Sequence, residues 1–189
     1  MRATGFIGML MCAGLFLYPG APGAEEMVQL TGNHPTGIVG EPTGQIAPDR
    51  ILKMTVTLKV RDPEALNRLL SEQQDPTSPN FHKWLTPQEF SAQFGTDPAQ
   101  FKAVRDWLAA QGFEILAENI DQRSITFSGR AELAERVFRT KIVTYAGGDS
   151  YANATDPYIP AQFAGAIGAI GGLDNVSRAV PAATHRESH

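Results

Sequence analysis

The chain has 189 residues, which is enough for one domain with extensions. Hydrophobic residues make up 42% of it and charged residues 19%, a composition that permits an apolar core and argues against wholesale disorder. The formal net charge of −4 argues against a nucleic-acid partner, because such a partner requires a basic surface.

Residues 1–24 have the pattern of a signal peptide. Arg2 supplies a positive start, residues 5–18 are apolar without a charge, and small residues follow where a signal peptidase could cut. The apolar run is too short to cross a hydrocarbon core of about 30 Å as a helix. We therefore expect a secreted protein, extracellular or periplasmic. A lipoprotein anchor at Cys12 is the alternative, although the residues before it match a lipobox poorly.

Cys12 is the only cysteine and lies inside the predicted signal. The processed chain should then contain no disulfide, no thiol nucleophile and no zinc site with cysteine ligands.

Residues 25–48 are rich in glycine, proline and threonine without a hydrophobic period, so we expect an extended N-terminal arm. Apolar and polar residues then alternate from Ile51 to Val60, which predicts a half-buried strand. Its apolar face carries Met54, Val56, Leu58 and Val60. Its polar face carries Lys53, Thr55, Thr57 and Lys59.

Two helix starts have an aspartate cap followed by a proline. Asp62-Pro63 begins a helix with an apolar stripe of Leu66, Leu69 and Leu70. Asp97-Pro98 begins another, which ends at Gly112 and carries Phe101, Val104, Trp107 and Leu108 on one face.

Between them, Thr86-Pro87-Gln88-Glu89 predicts a capping box. The Thr86 side chain can accept from the backbone N–H of Glu89, whose carboxylate can accept from the N–H of Thr86. Leu85 and Phe90 occupy the positions of a hydrophobic staple.

The second half predicts two strands over residues 113–117 and 124–128, with Ile125 and Phe127 inward. Ser128-Gly129 should open a helix with ion pairs Glu132–Arg136 and Glu135–Arg139. Lys141–Tyr145 is predicted to be a fourth strand, and Ala161–Leu173 a last, weak helix. The order favours an α+β fold of the ferredoxin-like, split β-α-β type, an antiparallel sheet with helices on one face.

A run of motifs in one order resembles the activation domain (propeptide) of the sedolisin/kumamolisin family of serine-carboxyl peptidases. The central signature, residues 78–90, reads Ser-Pro-Asn-Phe-His-Lys-Trp-Leu-Thr-Pro-Gln-Glu-Phe, with Phe81 where the family usually has tyrosine. Further matches are Val104…Trp107-Leu108…Gly112-Phe113, Phe127-Ser128-Gly129, Val137-Phe138…Thr140, Tyr151-Ala152-Asn153, Ile159-Pro160 and Gly172-Leu173-Asp174-Asn175. The resemblance covers residues 49–175.

The resemblance implies a pro-domain that packs on its peptidase, assists its folding, blocks its cleft and is cut away in acid. It also implies a catalytic domain with a serine in a Ser-Gly-Thr-Ser context, a glutamate base, two aspartates and a calcium site. This chain has none of those motifs, so we expect no catalytic residue, metal or cofactor in it. Residues 176–189 are then a flexible tail or the start of a linker to an absent catalytic domain.

The candidate partner-interface residues are the polar strand face, Lys53, Thr55, Thr57 and Lys59, and the signature residues His82 and Trp84. A histidine that gains charge below about pH 6.5 could loosen an interface in acid. The structural alternative, which we favour for His82, is a partly buried ring hydrogen-bonded to backbone before a helix. Trp84, Trp107, Phe90 and Phe94 are expected in the core.

Other motifs have simpler explanations. The glycine-rich run 165–172 lacks the spacing and the lysine of a phosphate loop. Asn153-Ala154-Thr155 and Asn175-Val176-Ser177 match glycosylation sequons. His34, His185 and His189 should lie in tails.

Two alternatives to a fragment of a longer precursor remain open. The chain could be a stand-alone secreted peptidase inhibitor acting in trans. It could also be a ferredoxin-like binding module without a peptidase partner.

Overall fold

A computed structural model describes residues 25–38, 40–145 and 148–176. The predicted signal peptide, Cys12, the predicted tail after residue 176 and the histidines at 185 and 189 lie outside this part of the chain.

The described residues form nine strands and four α-helices in mixed order. The strands are β1 Met27–Gln29, β2 Gly44–Gln45, β3 Ile51–Leu58, β4 Glu114–Asn119, β5 Ser124–Arg130, β6 Ile142–Thr144, β7 Tyr151–Asn153, β8 Tyr158–Pro160 and β9 Ile167–Gly171. The helices are α1 Pro63–Gln74, α2 Pro87–Phe94, α3 Pro98–Ala110 and α4 Ala131–Val137, with a short 3₁₀ helix at Ala161–Phe163.

The main sheet has four strands in the order β4-β5-β3-β9, and all three neighbouring pairs are antiparallel. A three-stranded sheet, β2-β6-β7, and the pair β1-β8 complete the strand pairing. The fold is therefore a mixture of helices and antiparallel sheets, as predicted at that level.

The alternation predicted for β3 is confirmed. Leu52, Met54, Val56 and Leu58 are buried, while Lys53 and Thr57 are exposed and Thr55 is half-buried. Each side chain of this apolar row contributes about 1.5–3 kcal/mol when it leaves water.

The helix caps and the core face of α3 are also confirmed. The carboxylate of Asp62 accepts from the N–H of Ala65, and that of Asp97 accepts from the N–H of Ala99, both at 2.8 Å. The apolar face of α3 enters the core, where Trp107 packs 6.2 Å from the Phe138 ring. Phe138 stacks on Phe113 at 5.6 Å between ring centroids.

The weak helix predicted over Ala161–Leu173 is wrong. Only Ala161–Phe163 is helical, and Ile167–Gly171 forms the edge strand β9 beside β3. Glycine costs a helix about 1 kcal/mol relative to alanine, whereas a strand without large side chains can approach its neighbour closely. A Cβ at Gly168 would lie 3.3 Å from the carbonyl oxygen of Thr57, so the small residues allow this pairing.

The prediction that Lys141–Tyr145 forms the fourth strand of the main sheet is also wrong. The segment supplies β6, but β6 pairs with β2 and β7 in the second sheet. The place beside β3 belongs to β9, so the fourth strand of the main sheet lies later in the chain than the alternation indicated.

The N-terminal segment is extended but does not stand apart from the fold. β1 pairs with β8, β2 pairs with β6, and Leu30 and Ile46 are buried in the common core. Isolated apolar residues among glycines and prolines gave no period from which these short pairings could be predicted.

The helix predicted to open at Ser128-Gly129 begins at Ala131 and has no side-chain cap. Ser128 belongs to β5, which continues to Arg130 because it pairs with β3 along its whole length. The predicted ion pairs of this helix are absent from the salt bridges of the described residues. Instead, Glu132 lies 3.8 Å from Arg130, and Glu135 accepts from the backbone N–H of Ile142.

We expect Gly172→Ala to lower the free energy of unfolding by more than about 2 kcal/mol. Gly172 has φ +87°, a left-handed conformation that costs other residues about 1–2 kcal/mol. The added Cβ would also lie 2.3 Å from the carbonyl oxygen of Lys53. Urea unfolding followed by tryptophan fluorescence measures the change. Gly165→Ala is the matched control, because its Cβ meets nothing within 4 Å, and equal effects of the two variants would contradict the prediction.

Candidate functional site

The outer face of the main sheet is a surface of small polar and apolar side chains. Residues directly opposite one another in antiparallel strands point to the same face. Thr55 therefore shares its face with Thr126 and Gly171, and Thr57 shares it with Ser124 and Ala169. We call these six residues, together with Lys53, Ser128, Glu114, Ala117 and Asn119, the outer face.

Side-chain hydrogen bonds join neighbouring strands across the outer face. The hydroxyls of Thr55 and Thr126 lie 3.3 Å apart, and the hydroxyl of Ser128 donates to the carboxylate of Glu114 at 3.1 Å. Few long side chains stand on this surface. Such a face can accept a rigid partner without reordering many rotamers, which lowers the entropic cost of binding.

The two lysines predicted for this face have different surroundings. Lys53 is exposed at the row shared with Ser128 and Glu114. Lys59 follows the end of β3, and its ammonium group donates to the carbonyl oxygen of Ala164 at 2.8 Å. Lys59 is thus fastened to the segment before β9, and Lys53 is the lysine that stands on the outer face.

His82 and Trp84 lie elsewhere, on the loop between α1 and α2. The ring of His82 stacks on Phe81 with 3.7 Å between centroids and lies 6.1 Å from Trp84. His82 has φ +57°, and its backbone N–H donates to the carbonyl oxygen of Gln73 at 3.1 Å. The structure does not bring these two residues together with the strand face.

Two predictions about this loop are wrong. Trp84 is not in the core, because 63% of it is exposed. His82 is exposed as well, and its ring makes no hydrogen bond within the described part of the chain, so the partly buried ring bonded to backbone is not found. Stacking on a neighbouring ring, which needs no burial, explains the geometry of His82 instead.

Trp84 forms one wall of an apolar groove of about 180 Å³. The stripe predicted on α1 forms the opposite wall, so it does not join the main core. The groove is lined by Leu66, Leu69, Leu70, Gln73, Trp84, Leu85 and Phe90. Phe90, which is half-buried, packs against the buried Phe94 at 5.7 Å.

Two carboxylates hold the ends of the loop that carries Trp84. Asp75 accepts from both the backbone N–H and the hydroxyl of Thr77 at 2.8 Å. Glu89 accepts from the N–H of Thr86 at 2.8 Å and from its hydroxyl at 2.9 Å, which confirms the capping box. These backbone and hydroxyl donors lower the pKa of Asp75 and of Glu89 below their ordinary values.

Two serines in residues 25–38, 40–145 and 148–176 donate to carboxylates at 3.1 Å, Ser91 to Asp121 and Ser128 to Glu114. A nucleophilic serine needs a base that a third group orients. Within those residues neither carboxylate has a further side-chain hydrogen bond or an ion pair that would orient it. The same residues contain no group of three histidine, cysteine or acidic side chains that could hold a metal ion. None of their helices has the length and apolarity needed to span a membrane.

Sequence reasoning missed a set of asparagines that join the segments. Asn33 lies beside the edge strand β9, donates to the carbonyl oxygen of Ile170 at 2.8 Å and accepts from the N–H of Ile170 at 2.7 Å. His34 is therefore not in a tail, because its Nδ1–H donates to the carbonyl oxygen of Asn153 at 2.6 Å. A single asparagine side chain that hydrogen-bonds to a strand edge, as a neighbouring strand would, produces no periodic pattern in the sequence.

The sequon at Asn153 is explained by packing. Asn153 is fully buried, and its amide group donates to the carbonyl oxygens of Asn33 and Thr155, both at 2.9 Å. A sugar could not be attached there without opening the fold. The second sequon, at Asn175, extends to Ser177 and so partly beyond the described residues.

Comparison with known proteins gives one family. The family model of the pro-kumamolisin activation domain matches residues 41–176. Xanthomonalisin from Xanthomonas sp. (strain T-22) is 33% identical over 142 residues, which are 74% of this chain and 17% of that protein. Sedolisin from Pseudomonas sp. (strain 101) is 30% identical over 142 residues, covering 74% of this chain and 24% of sedolisin.

A shorter match links the chain to mammalian proteins. Tripeptidyl-peptidase 1 from Mus musculus is 33% identical over 69 residues, which are 36% of this chain and 12% of that protein. The chain thus spans less than a quarter of the length of each of these relatives.

We expect Glu89→Gln to reduce the loss of stability in acid. Because the folded-state pKa of Glu89 is lowered, its contribution is present above the ordinary value of about 4.3 and is lost as pH falls through the lowered pKa. A glutamine keeps an uncharged acceptor for Thr86 at every pH. Urea midpoints between pH 6 and pH 3 should therefore fall less for Glu89→Gln than for the wild type.

Thr86→Ala provides the control, since it removes the cap at every pH and should cost about 1 kcal/mol throughout. An unchanged acid slope in Glu89→Gln would show that this carboxylate does not contribute to acid sensitivity.

Proposed function

The chain belongs to the pro-kumamolisin activation domain family, and on that premise we propose that it serves a secreted, acid-active serine-carboxyl endopeptidase as folding template and cleft-blocking inhibitor. The domain itself is not catalytic. Activation domains of this family pair with a peptidase catalytic domain, and we place that partner on the outer face. The same face would serve a catalytic domain in a longer precursor or a separate peptidase bound in trans.

The observation that carries the proposal is the outer face, within the residues matched by the family model. It offers two hydroxyl-bearing strands side by side, β3 and β5, with small residues of β9 at its edge. A stable complex buries about 1,200–2,000 Å² in total, or some 20–30 residues on each partner. The outer face supplies about half of the residues that such a complex needs on one side, and the loops at its rims would supply the others.

The topology supports the ferredoxin-like assignment of this fold. Counted along the chain, the first to fourth strands of the main sheet are β3, β4, β5 and β9. Across the sheet, they lie in the order second, third, first, fourth. Helices α1 to α3 connect the first strand to the second, and α4 lies in the connection from the third to the fourth. This is the order expected for two interleaved β-α-β units.

Release of the domain from its peptidase in acid follows from side chains whose charge changes as the pH falls. Protonation of Asp75 and Glu89 weakens the hydrogen bonds that hold both ends of the loop bearing Trp84. This change favours loosening of the loop in acid, and any contact that the loop makes with the peptidase weakens with it.

The test is inhibition in trans of a sedolisin-family peptidase, for which sedolisin and xanthomonalisin are suitable probes. The wild-type chain should inhibit near neutral pH and lose potency in acid. Thr57→Arg, at an exposed position of the outer face between Ser124 and Ala169, should raise the inhibition constant at least about tenfold, because a buried clash costs more than about 1.4 kcal/mol.

Ala103→Arg is the matched control, since Ala103 is an exposed residue of α3, on the other side of the sheet. Trp84→Ala tests the second candidate surface in the same assay. Inhibition that survives Thr57→Arg but is lost in Trp84→Ala would move the docking site to the groove, and a wild-type chain without inhibition or refolding assistance at any pH would remove the proposal.

A further inference from the structure

The two arginines near the C-terminal end of α4 lack the carboxylate partners that the sequence predicted for them. α4 ends at Val137, and Arg139 follows it with φ +47°, so Arg139 does not stand one helical turn beyond Glu135. The Glu135 carboxylate instead accepts from the backbone N–H of Ile142 at 2.7 Å and lies 3.4 Å from the Lys141 ammonium group.

Arg136 and Arg139 have no substitute partner within residues 25–38, 40–145 and 148–176. Glu132, the partner predicted for Arg136, lies 3.8 Å from Arg130 instead. The ion pairs of these residues include neither guanidinium group, and neither group donates to a carbonyl oxygen at the helix end. Two positive charges therefore stand near the end of one short helix without a carboxylate.

These two arginines line a cavity of about 230 Å³. The cavity lies where the C-terminal ends of α3 and α4 meet the start of β1. Its apolar walls come from Met27, Trp107 and Val137. The side-chain amide of Gln111 also lines it. The cavity thus offers guanidinium and amide donors beside an apolar surface.

Trp107 has a donor for which the described residues provide no acceptor. Only 9% of Trp107 is exposed, and its ring packs against Phe138 at 6.2 Å and Phe163 at 5.6 Å between centroids. Its indole N–H is buried and makes no hydrogen bond with these residues. A buried donor without an acceptor costs free energy and calls for an explanation, such as a bound water or ion. A ligand oxygen that reaches this wall of the cavity removes that cost.

The charge and the surface of the cavity select the class of ligand. Glu25 is the acidic residue among the described residues of the lining, and its carboxylate accepts from the side-chain amide of Gln162 at 3.0 Å. Two guanidinium groups and one carboxylate leave one positive charge, which a single carboxylate of a ligand balances. Guanidinium groups bind carboxylates through paired hydrogen bonds. The apolar walls suit a hydrocarbon chain, which an inorganic anion lacks.

We propose that this cavity binds a small organic acid, whose carboxylate pairs with Arg136 and Arg139 and whose short hydrocarbon chain packs on the apolar walls. The indole N–H of Trp107 donates to the carboxylate oxygen that reaches it. The inference goes beyond the proposed function and does not depend on it. The cavity is carried by α3 and α4, which pack on the buried row of β3, so it lies on the opposite side of the sheet from the outer face.

The test is a titration of the full chain near neutral pH and at constant ionic strength, followed by two-dimensional proton–nitrogen NMR. The chain has two tryptophans, so the indole N–H signal of Trp107 reports on the cavity and that of Trp84 is the internal reference. The probes are butyrate, its neutral counterpart butyramide, and inorganic phosphate. A fourth probe, the amide of N-acetylglutamate, presents a carboxylate as an acidic side chain of another protein would.

Butyrate should shift the Trp107 indole signal saturably, with a Kd in the millimolar range, and leave the Trp84 signal in place. Butyramide lacks the charge and phosphate lacks the hydrocarbon chain, so both should bind at least about tenfold more weakly. Arg136→Gln and Arg139→Gln should each raise the Kd for butyrate at least about fivefold.

Arg130→Gln is the matched control, because Arg130 is an exposed arginine beside the same helix but outside the cavity lining. It should change the Kd by less than about twofold, and circular dichroism checks that all three variants keep the fold.

Four results would overturn the inference. They are equal binding of butyramide and butyrate, equal binding of phosphate and butyrate, equal shifts of the two indole signals, and an effect of Arg130→Gln as large as that of the two cavity variants. The comparison of probes on the wild-type chain needs no variant to fold. Tighter binding of the N-acetylglutamate amide than of butyrate would support the site and identify an acidic protein side chain as its ligand, whereas the reverse order would identify a free acid.

Discussion

The central strand β3 constrains everything else in this fold. Its buried row, Leu52, Met54, Val56 and Leu58, belongs to the core that α3, α4, β5 and β9 share, and its period of two leaves the opposite row outside. A shift of one residue in its register would exchange the two rows and place lysine and threonines in the core. The core and the outer face are thus two consequences of the same alternation.

The three helices between β3 and β4 have different roles in the packing. α3 supplies core residues such as Val104 and Leu108, whereas α1 and α2 build the groove around Trp84 at the periphery. α2 is attached to the β4–β5 turn by the Ser91 hydroxyl, which donates to Asp121 at 3.1 Å. Few buried contacts hold this part, and local opening is easiest where buried contacts are few. The loop between Asp75 and Glu89, on which the proposed acid release depends, lies in this less tightly packed part.

Much of this architecture could be predicted from the sequence, because strong local signals agree with the final contacts. The alternation of β3, the proline-marked caps of α1, α2 and α3, and the inward face of α3 all depend on neighbours in sequence. The failures, β9 and β6, depend on pairings with strands far away in the sequence, Thr57 of β3 with Ala169 and Gln45 of β2 with Val143. Of the site, the strand face was predictable by its period, but the exposure of Trp84 and the roles of Asn33 and Asn175 were not, since single polar contacts have no repeat.

Both ends of the domain are fastened to the same short strand. Asn33 and His34 bond to Asn153, and Asn175 bonds to Tyr151, two residues away on β7. A mechanical load applied between residues 33 and 175 would consequently act on β7 from both sides, and at residue 33 it would also act on the edge strand β9 through the two hydrogen bonds of Asn33 to Ile170. Tension on the chain would therefore strain side-chain hydrogen bonds at two strand edges before it strained the buried row of β3.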